Sequence, residues 1–330
     1  MAIIAASPRG KAGSGRRVGW KRSRQILGLL YAMPTMIYVA VFFVLPVCLV
    51  FLMSSSSWSL LTGSKAINFP DNYSNVSAGA LFWPAVWFTI EYTVLVTFFL
   101  VGLGLGLALL VQEGSRWIGA LRTSFLLPSA LGLATASLLY WGLYSGSIGP
   151  LNGVLDAINS TGIRAGLIDP ANQVTFLGSG TTALLSTTFL IVWKFSGFYM
   201  LILLVGLQAI PHDIYEAASI DGASRWQTFR SITLPLLRRS LALSLILCIT
   251  GSLLAFDQFY VLTHGGPDNT TVTVVQLIYR EAFIRQNLGT AAALSIVLLV
   301  ALLALNAIQF RGIRAAGLLA CGDLQRREQR

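Results

Sequence analysis

The sequence predicts an all-α polytopic membrane protein with six transmembrane helices. Three observations carry this. Of 330 residues, 55% are hydrophobic and only 11% charged, and mean hydropathy is +0.71. A soluble domain carries about 25% charged residues, so too little charge is present to cover a water-facing surface of this size. Six apolar stretches reach the roughly 20 residues that a bilayer-spanning helix needs. Lys and Arg gather in alternate loops, as they do in multi-pass proteins.

The spans are expected near residues 27–53, 86–111, 123–144, 182–207, 240–263 and 289–310. Pro34, Pro46 and Pro128 fall inside them, which membrane helices tolerate when neighbours re-satisfy the freed carbonyls. The first stretch follows a basic segment with a twin-arginine pair, Arg16-Arg17. It is about twice the length of a signal-peptide h-region and reads as a retained signal anchor. Residues 1–26 form a basic N-terminal segment expected to be disordered, 27–310 the transmembrane domain, and 311–330 a tail.

Seven Lys and Arg precede residue 27, two lie in 112–122, four in 208–239 and five in the tail, against four in the alternate loops. Both termini are therefore expected in the cytoplasm. Topology accounts for the net charge of +10, so nucleic-acid binding is not needed. The outward loops 54–85, 145–181 and 264–288 each hold an N-x-S/T triplet, such as Asn72-Tyr73-Ser74. Cys48 and Cys248 lie in apolar runs and Cys321 in the tail, with no disulfide-like or zinc-like spacing. His212 and His264 are too few and too far apart to suggest a metal.

The cytoplasmic segment 210–236 is too polar to span and too patterned for a slack loop. Asp213 followed by Glu216 is a helix-start signal of capping-box type. Tyr215, Ala218, Trp226 and Phe229 recur at helical spacing and predict an apolar face. Gly222 interrupts the pattern, which predicts a short helix, a turn over 221–224 and a second short helix. Pro235 marks the start of the fifth span. Physics alone leaves an interfacial membrane helix and a docking helix as alternatives.

Glu216-Ala217-Ala218, three residues, Gly222, nine residues and Ile232-x-Leu234-Pro235 together resemble the "EAA" loop of binding-protein-dependent ABC importer permeases. Asp221 and Ala223 flank the Gly as in that loop. Other segments are similar to the carbohydrate branch of the family: Arg122-Thr123 to Pro128 with Trp141, Gly149 to Asn152, Trp193-Lys194, and Gly206 to Pro211. Phe256-Asp257-Gln258-Phe259-Tyr260-Val261-Leu262-Thr263-His264-Gly265-Gly266-Pro267 resembles its F-D-x-x-Y-x-L-T-G-G-G-P element, with His264 in place of the first Gly. That element suggests the maltose-type, "F-like" member of a permease pair. The resemblance spans about residues 27–310.

The resemblance implies a type I ABC importer permease for a sugar-like solute, multi-pass in a bacterial plasma (inner) membrane. The 210–236 loop would be its coupling helix, with Tyr215, Glu216, Ala217, Ala218, Asp221, Gly222, Ala223 and Phe229 facing an ATPase. Partners would be a second permease in a heterodimer, two ATP-binding subunits that hold ATP and Mg, an extracytoplasmic solute-binding protein and membrane lipid. This chain would bind no cofactor itself.

Ionisable residues inside spans are costly, at about 2.5–3.5 kcal/mol on insertion scales, and usually face a bundle interior or watery cavity. Glu91, Lys194 and Asp257 are the three here. They are candidates for a solute path with Trp193, Gln258 and Tyr260, or for structural pairing such as Lys194 with Glu91. An ion-coupled secondary transporter using Lys194, Glu91 and Asp257 is the alternative function, though the paired broken helices expected of one are not visible. Gly102-x-Gly104-x-Gly106 lies mid-span with no strand before it, so Gly102 and Gly106 are expected to pack helices rather than hold phosphate. No Walker A pattern, Ser-His-Asp constellation or H-E-x-x-H motif occurs, which predicts a transport subunit without a catalytic site of its own.

Overall fold

The computed structural model describes residues 30–113, 116–145, 150, 153–154, 157 and 176–328; of residues 64–65, 116 and 313–328 it describes the backbone alone. The N-terminal segment, the Gly149–Asn152 element and most of the 145–181 loop lie outside the described residues. So do the side chains of the tail beyond residue 312.

Two compact units divide at Leu52 and Met53. The first contains nearly all of helix α1 (Leu30–Ser54). A π-turn over Ala40–Val44 interrupts it, and every side chain from Leu30 to Leu49 is exposed. An apolar helix exposed all round is what a lipid environment permits and water does not.

The second unit begins with an antiparallel hairpin, β1 (Ser56–Ser59) and β2 (Gly63–Ile67). Helix α2 (Asp71–Ala78) follows. Asn72 of the Asn72-Tyr73-Ser74 triplet is buried, and its amide donates to the carbonyls of Ser54 (2.9 Å) and Ser56 (3.0 Å). It is therefore a structural knot, which leaves no room for a glycan.

Helix α3 (Phe82–Leu110) is the second span. Its buried residues Ala85, Phe88, Tyr92, Val96, Leu100, Gly104 and Ala108 recur every three or four positions, one stripe of a 3.6-residue helix. The stripe packs mainly on α6 (Gly180–Gln208), a helix buried over much of its circumference. Gly104 makes the close approach: a Cβ there would lie 3.1 Å from the Tyr199 Cβ and 3.3 Å from the Met200 nitrogen, whereas Gly102 and Gly106 face open space. The expected Gly102/Gly106 packing pair is thus replaced by Gly104 with Ala108. The spacing of small residues was right, but its register was set by which face meets α6.

The third apolar stretch does not form one continuous helix. Helix α4 (Arg116–Ala130) and helix α5 (Leu133–Tyr144) meet at a bend of 92°. Pro128 in the last turn of α4 lacks an amide donor and crowds the preceding turn. Gly132 then starts α5, accepting from the Ala136 amide at 2.9 Å. The single helix expected over 123–144 is corrected accordingly.

Helix α7 (His212–Ile220) leads to α8 (Arg225–Leu253), the fifth span, which contains a π-turn over Phe229–Thr233. This helix starts well before Pro235 and ends ten residues short of the expected 263. Pro235 stands inside it, two residues past the π-turn and at the start of the α-helical stretch Leu234–Leu253. The chain breaks over 254–256, and α9 (Asp257–Leu262) follows as a separate short helix. Thr273 satisfies the freed Ala255 carbonyl (2.8 Å). Helix α10 (Val274–Tyr279) runs into a π-turn over Arg280–Ile284. Helix α11 (Leu288–Glu328) supplies the sixth span in Leu288–Gly312.

The largest buried cluster of this unit includes Phe88, Tyr92, Val96, Leu190, Ile191, Tyr199, Cys248 and Phe259. A second, around Met200, Leu203, Leu207 and Leu237, lies toward the α7 end.

Candidate functional site

Two places on the second unit gather the sequence candidates, and α8 runs between them. The first is the 210–236 loop. Helix α7 starts after Pro211 with no side-chain cap, and Asp213 stands in its first turn, where a carboxylate favours the helix dipole. The expected Asp213–Glu216 capping box is not formed. Glu216 instead meets His212, Oε1 to Nδ1, at 3.1 Å. The capping box occurs at the next helix, between Ser224 and Gln227.

Gly222 terminates α7. Its φ is +75°, a left-handed conformation that glycine adopts freely. The Ala223 amide donates to the Ala218 carbonyl (3.0 Å) and the Gly222 amide to the Ser219 carbonyl (3.1 Å). These are the two bonds of a Schellman motif. No atom lies within 4 Å of a Cβ placed on Gly222, so the backbone conformation, not lack of space, requires this residue. Asp221 is the C-cap. The motif from Glu216 to Ala223 therefore encodes one helix and its stop.

The apolar residues of the loop divide between two faces. Ala218 is buried and Tyr215 half-buried. The Tyr215 hydroxyl lies 3.3 Å from the Thr233 hydroxyl in the π-turn of α8. Ile220 is 87% exposed and Trp226 66% exposed, with Trp226 stacked on Phe229 at 5.8 Å between centroids. The single apolar face expected from spacing is split because Gly222 reverses the chain between Ala218 and Trp226. Glu216, Ala217 and Asp221 are exposed. A short, rigidly stopped helix with uncovered apolar and acidic side chains is suited to docking on a protein.

The second place is a cavity of about 230 Å³ beside the break between α8 and α9. Tyr92 of α3, Phe195, Phe198 and Tyr199 of α6, Ser252 of α8 and Asp257 and Gln258 of α9 line it. The Gln258 amide donates to the Tyr92 hydroxyl (3.0 Å), while its own carbonyl oxygen is buried without a hydrogen-bond partner in the protein. Aromatic walls with a few fixed polar groups are the usual composition of a small-molecule site. The volume is somewhat below the range of about 300–1,000 Å³ typical of such sites.

The structure brings only Asp257 and Gln258, of the six expected path residues, to this cavity. Tyr260 stacks on Phe256 at 5.1 Å and faces Tyr279, hydroxyl to hydroxyl, at 3.4 Å. Trp193 packs against Tyr140. Glu91 is exposed on α3. Lys194 is 2% exposed, and its partners are not carboxylates. Its Nζ donates to the carbonyls of Leu131 and Ser129 at the break between α4 and α5, the latter at 3.3 Å. The ammonium thus closes the C-terminal end of α4, whose last carbonyls carry partial negative charge. A Lys194–Glu91 pair is not formed. Tyr92, Phe195, Phe198, Tyr199 and Ser252 complete the cavity. The first four are aromatic residues that apolar patterning assigns to packing, and in the fold they border a common space beside the break at 254–256. Among the described residues, no group of three or more His, Cys, Asp or Glu side chains is placed to hold a metal.

The His264 departure is resolved by geometry. His264 adopts φ 51° and Gly265 φ 87°. Arg280 clamps the turn by donating to the His264 carbonyl (2.8 Å) and to Asn269 Oδ1 (2.6 Å). A histidine takes the left-handed position otherwise suited to glycine.

Comparison with known proteins places these features in a family. The model of the binding-protein-dependent transport system inner membrane component matches residues 2–313. The chain is 34% identical over 285 residues to the trehalose/maltose transport system permease protein MalF of Thermococcus litoralis, covering 86% of this chain and 92% of that one. It is 32% identical over 292 residues to the sulfoquinovosyl glycerol transport system permease protein SmoG of Agrobacterium fabrum, covering 88% and 91%. A bacterial ABC transporter that imports the acidic polysaccharide alginate contains a chain of the same fold. Its TM-score is 0.71 at 25% identity, over 88% of this chain and 98% of that one. The ion-coupled secondary transporter is not favoured, and the chain belongs to the family of binding-protein-dependent transport system inner membrane components, the permease subunits of ABC importers.

Proposed function

We propose that this permease carries a sugar or sugar-like solute inward, paired with a second permease and driven by two separate subunits that bind ATP and Mg. The reading is supported by what similar proteins are named for: trehalose and maltose, sulfoquinovosyl glycerol and the import of the acidic polysaccharide alginate. Both termini face the cytoplasm in this reading, from the Lys and Arg asymmetry.

One observation carries the mechanism. Helix α8 begins at the 210–236 loop and ends at the cavity, 29 residues later, about 43 Å at about 1.5 Å per residue. Closure of the ATPase pair moves α7. The Tyr215–Thr233 contact passes that movement to the π-turn at the base of α8. The far end of α8 carries Gly251 and Ser252 in the cavity wall, so tilting the helix reshapes the space that receives solute. Such coupling needs two discrete arrangements that both sites bias. Asp257, Gln258 and the cavity aromatics contact the solute, while Glu216 and the exposed Ile220 and Trp226 engage the ATPase.

The test is purification in mild detergent with identification of the co-purifying chains, followed by uptake of labelled disaccharides into proteoliposomes. Co-purification of an ATPase and a second permease, with uptake that needs ATP and the binding protein, supports the proposal. Uptake by this chain alone, driven by a proton or sodium gradient, overturns it.

A further inference from the structure

A groove separate from the cavity runs along the outside of α8 against α11. Ala242, Leu245, Ile246 and Ile249 of α8 form one wall, with a volume of about 350 Å³. Arg238 stands at one end with Gln309 and Gly312 of α11. At its other end Ile249 also lines a neighbouring apolar space of about 430 Å³ against α3. The Gln309 carbonyl oxygen is buried without a hydrogen-bond partner among the described residues. Arg239, next to Arg238 on α8, and Arg311, next to Gly312 on α11, are both exposed.

Ile249 lies eleven residues along the helix from Arg238, about 16 Å at about 1.5 Å per residue. One leaflet of hydrocarbon is about 15 Å deep, half of a core of about 30 Å. The groove therefore has the depth of one leaflet, a wall of apolar side chains on α8 and, among the described residues, positive charge at the Arg238 end. Basic pockets between transmembrane helices at the cytoplasmic side suit anionic headgroups.

We propose that this groove binds one anionic glycerophospholipid. An acyl chain lies along Ala242 to Ile249, the phosphate meets the arginines, and a headgroup hydroxyl donates to Gln309. The charge pattern favours this occupant over a helix of the second permease, which would need no cluster of arginines at the mouth. The bound lipid stiffens the seam between α8 and α11, and α8 is the helix that joins the loop to the cavity. Anionic lipid thereby supports coupled transport.

The test uses the complex purified with its partner subunits and placed in nanodiscs of phosphatidylcholine with or without phosphatidylglycerol. Native mass spectrometry reads the retained lipid. Wild type is expected to retain phosphatidylglycerol selectively, and Ala242→Trp, which fills the groove, to lose it. Arg239→Gln with Arg311→Gln keeps the groove open and is expected to lower the preference about fivefold for each arginine removed. Equal retention of both lipids by wild type overturns the proposal, as does unchanged retention in both variants. Efficient cross-linking of Ile249→Cys to the second permease assigns the groove to a subunit interface and also overturns it.

Discussion

The Tyr215 hydroxyl stands 3.3 Å from the Thr233 hydroxyl, and this contact fastens the exposed α7 to the base of the helix that reaches the cavity. Tyr215 stands on the short helix α7 and Thr233 in the π-turn of α8. A single hydrogen bond of this kind contributes about 0.5–1.5 kcal/mol. Tyr215→Phe and Thr233→Val are each expected to lower uptake several-fold while ATP hydrolysis persists, and the double variant to be no worse than either single one. A double-mutant cycle on the ratio of uptake to hydrolysis checks this. Additive losses would show that the two hydroxyls act separately.

Gly222 separates a backbone requirement from a steric one. Nothing surrounds it within 4 Å, yet its φ of +75° costs an ordinary L-residue about 1–2 kcal/mol. Gly222→Val is expected to fray the end of α7 and abolish uptake, with the subunit still inserted in the membrane. Gly222→Asn, which tolerates the left-handed region, is expected to retain a substantial share. Glu216→Ala, at an exposed position on the same helix, is expected to abolish uptake without lowering the melting temperature. Uptake and membrane-fraction immunoblots distinguish these outcomes. Equal activity of the Val and Asn variants would remove the conformational argument.

The legible parts of this fold were those that repeat. Long apolar runs gave the membrane class, and the Glu216–Gly222 spacing gave a helix with its stop because helix ends are local chemistry. The breaks were less legible. Pro128 was visible, but a 92° bend depends on what α6 offers the freed carbonyls, and that came from Lys194 sixty-odd positions away. The end of α8 at Leu253 has no proline or glycine immediately after it; Thr273, from a distant loop, holds the Ala255 carbonyl. The cavity lies beside that break and is lined from separate helices, which is why Tyr92 and Tyr199 look like packing residues in sequence.

Lys194 illustrates how a buried charge serves architecture. Its ammonium donates to the Ser129 and Leu131 carbonyls, and hydrogen bonds from a charged group contribute about 1.5–3 kcal/mol. Lys194→Met leaves those carbonyls unpaired at the bend but also removes the buried charge. The expected net loss is about 2 kcal/mol, a melting temperature lower by several degrees for the purified complex. Lys194→Arg is expected to restore part of it. If Lys194 instead bound solute, Lys194→Met would raise KM sharply and leave the melting temperature in place.

The His264 turn tests strain directly. A non-glycine residue held at φ 51° stores about 1–3 kcal/mol, and glycine there would relieve it while freeing the unfolded chain by about 0.5–1 kcal/mol. The relief is the larger of the two, by about 0–2.5 kcal/mol, so His264→Gly is expected to raise the melting temperature by a few degrees at most and leave uptake unaltered. His264→Val, β-branched at the same angle, is expected to lower it clearly. Loss of uptake in His264→Gly would assign the imidazole a role that its edge contact with Tyr260 does not indicate.

The Gln258–Tyr92 pair gives the sharpest test of the cavity. Gln258 spends its amide nitrogen on the Tyr92 hydroxyl and keeps its carbonyl oxygen buried and unpaired, an arrangement that is unfavourable until a donor arrives. A sugar hydroxyl is such a donor. Gln258→Leu removes both the acceptor and the tie to Tyr92, and losing one such bond to solute raises KM about tenfold. Gln258→Glu keeps an acceptor at the same reach and is expected to recover part of the affinity. Ser252→Trp, which projects bulk into a space of about 230 Å³, is expected to stop uptake while the binding protein still stimulates ATP hydrolysis. Initial-rate uptake over a range of solute concentrations separates these effects. If Gln258→Leu and Ser252→Trp both transport with unchanged KM, the solute travels elsewhere, and the cavity is only the packing defect left by the break in the fifth span.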